Sequence, residues 1–137
     1  MWNNILLGCL LIVFTSFIHT AITKMVFSIV TKEHSYDRSW KRIIHVDLVI
    51  LIIVLATLVE SAVWAMCYIQ IGSFDKLEEA MYFSLVTYST LGYGDIILNE
   101  SHRLLGAFEA ANGVIMLGWS TAIVVAVIQR VYTRSKR

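Results

Sequence analysis

Proline is absent from the 137-residue chain, charged residues make up only 15% of it, and cysteine occurs twice. Without proline, no long helix has the usual cause of a sharp kink. So low a charged fraction, beside 58% hydrophobic residues and a mean hydropathy of +0.71, does not suit the surface of a small soluble domain. It suits a bilayer, where each helical crossing takes about 20 mostly apolar residues. The chain has room for a few spans and a short re-entrant piece, with no sizeable soluble domain left over. Cys9 and Cys67 lie inside apolar stretches, without metal-ligand spacing or a nearby histidine, and are assigned to packing. There is no phosphate loop, nucleophile motif or acid and base pair to support an enzyme, and nothing suggests a nucleic-acid partner.

Residues 1–30 hold the first expected membrane helix. The first four carry no Lys or Arg, unlike the positive start of a cleaved signal, so a retained span is expected. His19, inside it, is read as a satisfied side chain facing a neighbouring helix. Residues 31–45 turn polar and basic, with Lys32, Arg38, Lys41 and Arg42 against Glu33 and Asp37, and Trp40 suits headgroup level. A second span is expected over 46–71, with Trp64 and Tyr68 toward the opposite interface. Gly72 to Asp75 breaks it. Asp75-Lys76-Leu77-Glu78 has the form of a capping box with Asp75 at the cap, and Glu79 adds charge to the first turn. The helix expected over 76–89 is too short to cross a bilayer, and such a piece is tolerated at membrane depth only where protein or water surrounds it. A last span is expected over 103–132, roughly 45 Å long and therefore tilted. A basic tail, 133–137, follows.

The organising stretch is Thr90-Leu91-Gly92-Tyr93-Gly94-Asp95, after the polar run 84–89. Gly92 and Gly94 can take the positive φ that turns successive carbonyls toward one axis, while Leu91 and Tyr93 point outward into packing. Thr90 adds a hydroxyl oxygen. The run closely resembles the Thr-Val-Gly-Tyr-Gly filter signature of potassium channels, with Leu91 as the one departure. The resemblance is to small, prokaryotic-type two-helix pore domains, covers about 46–131, and leaves the first helix as an addition. It implies an all-α membrane protein with three transmembrane helices, a re-entrant pore helix and a filter loop, assembled as a homotetramer in a bacterial plasma membrane. It further implies that K+ ions are held by the carbonyls of Thr90, Leu91, Gly92 and Tyr93 with the Thr90 hydroxyl, Gly94 and Asp95 forming the outer lip. A less selective cation channel and a non-conducting subunit that modifies a larger channel are the alternatives. The short helix would aim its partial negative end at the pore centre.

The resemblance also implies roles for other residues. Tyr82 stands where relatives often have a Trp whose polar edge reaches the aspartate after the filter, so a Tyr82 to Asp95 bond is expected. A glycine near the place of Gly113 bends the inner helix in some relatives. Hinge and close packing stay open here for Gly113 and Gly118. Glu60 and Glu109 lie within spans, where an ionised side chain is expensive. Both are read as hydrogen-bonded buttresses behind the pore helix, reaching Ser84, Thr87 or Tyr88 across chains; a pH-coupling role for Glu109 is the functional alternative. The rotation of Asn112 about its helix stays open, and His102 is read as a solvated loop histidine. No span repeats Arg or Lys at every third residue, so no voltage sensor of the usual kind is expected, and residues 133–137, after the third span, resemble no calcium or nucleotide-binding domain.

Of the 11 Lys and Arg residues, Lys76 and Arg103 alone lie between the second and third spans. Cytoplasmic loops carry the excess of positive charge. The expected orientation is therefore N-terminus outside, basic loop and tail inside, filter opening outward. The outer segment sets Asp75, Glu78, Glu79, Asp95 and Glu100 against those two bases, which concentrates cations at the mouth. The tail's Arg130, Arg134, Lys136 and Arg137 suit anionic lipid headgroups.

Overall fold

A computed structural model describes residues 1–32 and 39–133. Among them, four α-helices follow one another with no strand: α1 (Trp2–Lys32), α2 (Ser39–Gln70), α3 (Leu77–Tyr88) and α4 (Arg103–Thr133). Three are long and apolar enough to cross a membrane, over Trp2–Val30, Ile43–Gln70 and Arg103–Val131. The fourth, α3, has 12 residues and packs against α2 and α4.

α2 starts at Ser39 rather than at 46, so half of the expected basic loop is helical. No glycine or proline interrupts the chain from 39 to 70, and the His45 ring bonds the Lys41 carbonyl one turn back at 2.7 Å. Residues 31 and 32 of that loop end α1, while 33–38, with Glu33, Asp37 and Arg38, and the tail's Arg134, Lys136 and Arg137 lie outside the described residues. The expected capping box does not form. Lys76 is the cap of α3, with extended φ −113 and ψ 133 and no side-chain cap bond, which leaves Asp75 one residue too early. Glu78 and Glu79 still place negative charge in the first turn, where the helix dipole favours it.

Two apolar clusters form the core. Val26, Val30, Val49, Ile123, Val127 and Val131 join α1, α2 and α4 at one end. At the other, Trp64, Tyr68, Tyr88, Leu98, Leu105 and Met116 gather α2, α3 and α4, with Leu7, Leu11 and Ile12 of α1 packed against them. Trp64 and Tyr68 are thus fully buried rather than interfacial: pairing with α3 turns their face of α2 inward. α1 meets the others along Gly8, Ile12, Thr15, His19, Ile22, Val26 and Val30, a seam at helical spacing.

Helix α4 crosses α3 at Gly113. A Cβ there would lie 1.9 Å from the Tyr88 carbonyl oxygen, so only glycine lets the two backbones meet. Gly118, in contrast, has nothing within 4 Å of the same position. Gly113→Ala is expected to cost about 2 kcal/mol or more, as overpacking against rigid backbone does. Gly118→Ala should change stability by no more than about 0.5 kcal/mol. Thermal unfolding of the two variants in detergent checks this, and equal shifts would contradict it.

Candidate functional site

The main chain after α3 has an unusual regularity. Thr90, Gly92 and Gly94 have φ of 62, 54 and 75, and Leu91 and Tyr93 between them keep negative φ. Alternation of the two hands gathers successive N–H groups on one side of a strand. That gathering is present: the N–H groups of Leu91 and Gly92 both donate to the Val86 carbonyl, at 3.0 and 3.2 Å, and that of Thr90 donates to the Thr87 carbonyl at 3.0 Å. Because a trans peptide sets its C=O opposite its N–H, the carbonyls of Thr90 and Leu91 point away from α3. The last carbonyls of α3 gain donors, and the strand presents oxygens on its free side. A left-handed β-branched residue is uncommon. Thr90 holds that conformation through these bonds, and the expectation from sequence had placed positive φ on the glycines alone.

The far end of the segment, a lip at Asp95, is fixed by Tyr82, whose hydroxyl donates to Asp95 Oδ2 at 2.7 Å, the bond expected from sequence. This donation holds the Asp95 carboxyl below the usual carboxylate range, and the same bond pushes the Tyr82 phenol up. A cleft of about 230 Å³ separates α3 from the strand, lined by Tyr82, Phe83, Val86 and Thr87 on one side and Gly92, Gly94 and Asp95 on the other. Lys76 pairs with Glu79 at 3.4 Å and Arg103 approaches Glu100 at 3.9 Å, so both bases of this surface are engaged with acids. His102 is tied to the Ser73 hydroxyl at 2.7 Å, rather than only solvated. Asn4 of α1 donates to the Ser101 carbonyl at 2.5 Å, which puts the start of α1 on the same side as the lip.

Behind α3 lies a layer of buried polar side chains. The Glu109 carboxyl accepts from the Tyr68 hydroxyl at 2.7 Å and meets the Ser84 hydroxyl, which also reaches the Ser61 carbonyl at 2.7 Å. Glu60 accepts from the Tyr88 hydroxyl at 2.5 Å and shares a hydrogen bond with His19 Nδ1 at 2.9 Å. Asn112 donates to the Thr15 hydroxyl at 2.8 Å. Every one of these residues is buried. Burying a polar group at such depth is costly without a hydrogen-bond partner, and leaving one of these groups unpaired costs about 1–3 kcal/mol.

Both acids expected behind α3 lie there, and each has hydrogen-bond partners within its own chain. Glu109 meets Ser84; Tyr88 goes to Glu60; Thr87 lines the cleft instead. Tyr68, Thr15 and the joint role of His19 with Glu60 escaped sequence reasoning. Two clues were available: Thr15 and His19 stand one turn apart on α1, and Glu60 is a lone acid in a span. Among the described residues, no group of three or more His, Cys, Asp and Glu could hold a metal ion. What this site offers chemically is main-chain oxygens, those of Thr90 and Leu91, turned away from α3.

A family model described as an ion channel matches residues 50–130, which takes in most of α2, all of α3, the strand and most of α4. No curated protein and no solved structure matches the chain. With three membrane-spanning helices and that match over more than half its length, the chain is an integral membrane protein of the ion channel family.

Proposed function

We propose that the chain is the pore-forming subunit of a potassium-selective channel, with four copies around one axis. Each copy contributes the carbonyls of Thr90, Leu91, Gly92 and Tyr93 and the Thr90 hydroxyl to a row of sites for dehydrated K+. The observation that supports this reading is the convergence of the Leu91 and Gly92 N–H groups on Val86, which leaves the Thr90 and Leu91 oxygens on the other side. Main-chain dipoles replace the water that an alkali ion sheds.

One strand supplies only one wall of such a site. On the single protomer, Leu91, Tyr93 and Ile97 are about two-thirds exposed, and α4 leaves Leu104, Ala107, Ala111, Val114, Gly118, Thr121 and Val125 uncovered along one stripe. Large side chains left open beside the strand support assembly with further copies of the chain. The N-terminus and the lip face outward and the basic segments face the cytoplasm, where the tail meets anionic headgroups.

Purified protein in liposomes, under opposed K+ and Na+ gradients, is expected to give a reversal potential near that of K+. A potential midway between the two would identify a weakly selective cation channel, and silence a non-conducting subunit. Gly92→Ala is expected to abolish flux, since a left-handed L-residue costs roughly 1–2 kcal/mol per copy.

Tyr82→Phe tests the lip. Asp95 is depressed in the folded protein, so its contribution is present above the ordinary carboxylate value and is lost as pH falls through the depressed one. Without the Tyr82 donor that loss moves to higher pH, and carboxyl NMR titration of Asp95 reads it. An unchanged titration would contradict the bond's role.

A further inference from the structure

The pore module of α2, α3 and α4 has an additional helix against it, and the bonds of that helix are placed where the strand begins. Tyr88 is the last residue of α3, with only Ser89 between it and Thr90. It is pinned twice. Its hydroxyl donates to Glu60 Oε2 at 2.5 Å, and its carbonyl sits against the bare Cα of Gly113.

Each pin continues to α1. The second oxygen of Glu60 is hydrogen-bonded to His19 Nδ1 at 2.9 Å, which fixes the carboxyl plane that Tyr88 meets. Asn112, next to Gly113, donates to the Thr15 hydroxyl, and that hydroxyl bonds the Leu11 and Ile12 carbonyls of its own helix at 2.9 and 3.1 Å. Thr15 and His19 stand one turn apart on the buried seam of α1 and are themselves fully buried. The His19 ring also packs on Trp119 of α4, with centroids 5.0 Å apart. By contrast, the Tyr68–Glu109–Ser84 group, which holds the middle of α3, involves no residue of α1.

We infer that α1 is part of the filter's support: His19, acting through Glu60, and Thr15, acting through Asn112, are positioning residues that hold the Tyr88 end of α3 and so set where the Thr90 oxygens lie. The inference rests on the potassium-filter reading above. Apolar packing alone would keep α1 attached. It would not require a histidine and a threonine bonded to Glu60, which accepts from Tyr88, and to Asn112, the chain neighbour of the Gly113 that touches Tyr88.

The test uses the full-length protein in liposomes, comparing wild type with His19→Ala, His19→Asn, His19→Gln, Thr15→Val, Tyr88→Phe, the His19→Ala/Tyr88→Phe double variant, and Ser16→Ala. Ser16 bonds only the Ile12 carbonyl of its own helix and serves as control. Readouts are the K+ to Na+ permeability ratio and the K+ concentration that protects the assembled protein from heat. His19→Ala and Tyr88→Phe should each lower the permeability ratio several-fold and raise the protective K+ concentration. The double variant should be no worse than the poorer single, because both act through one carboxylate. His19→Asn, whose amide stands where Nδ1 does, should recover most of the loss, His19→Gln, one carbon longer, should recover less, and Ser16→Ala should match wild type.

Thr15→Val, nearly isosteric, should lower the ratio in the same direction, and it carries the test if His19→Ala fails to fold. Wild-type selectivity in His19→Ala and Thr15→Val, or fully additive losses in the double variant, would overturn the inference while leaving the filter reading intact. A wild type that fails to separate K+ from Na+ would instead remove the reading beneath it.

Discussion

A polar main chain in hydrocarbon must find its own partners, and the structure depends on how this chain meets that constraint. Three spans meet it by being helices. The short segment after α3 cannot, because it is neither helix nor closed sheet. The N–H groups of Thr90, Leu91 and Gly92 turn back onto the terminal carbonyls of α3, which pairs these donors and leaves the acceptors opposite them free. An unpaired acceptor at that depth is costly unless a cation or water faces it. The feature most expensive in lipid is thus the one suited to passing ions.

Such a strand keeps its shape only if the helix behind it does not move, and α3 is too short to be stable alone. Its position comes from the elements around it. The glycine contact at Gly113 sets its distance from α4, and the carboxyls of Glu109 and Glu60 set its rotation. Apolar clusters on either side exclude water from this polar layer. Under those conditions hydrogen bonds strengthen one another and fix a single arrangement. A uniformly apolar interior would bind the helices as firmly but leave α3 free to slide or turn.

Much of this was legible from composition and spacing. Three spans were evident because about 20 apolar residues in a row have few other uses. The 90–95 stretch stood out because glycines alternate with larger residues, a pattern tied to backbone geometry rather than to packing. What stayed hidden depended on helix rotation. Trp64 and Tyr68 sit near a span end, which suggests an interface, yet their face of α2 meets α3 and is buried. Asn112 had no readable direction until Thr15 supplied one. Asp75 satisfied a capping pattern, but the cap formed one residue later, as local signals leave helix ends uncertain by a residue or two. Thr90 was invisible as a left-handed residue because its conformation is imposed by Val86 and Thr87 rather than chosen by its own type.

The central claim concerns where main-chain oxygens point in the assembled protein. A structure of the full-length chain in lipid, determined with Rb+ in place of K+ and using its anomalous signal, tests it most directly. The account predicts a row of Rb+ peaks on a fourfold axis, each within coordination distance of carbonyls from residues 90–93 of four chains. Four chains around an axis with no ion on it, or with those carbonyls turned back toward α3 at saturating Rb+, would contradict it.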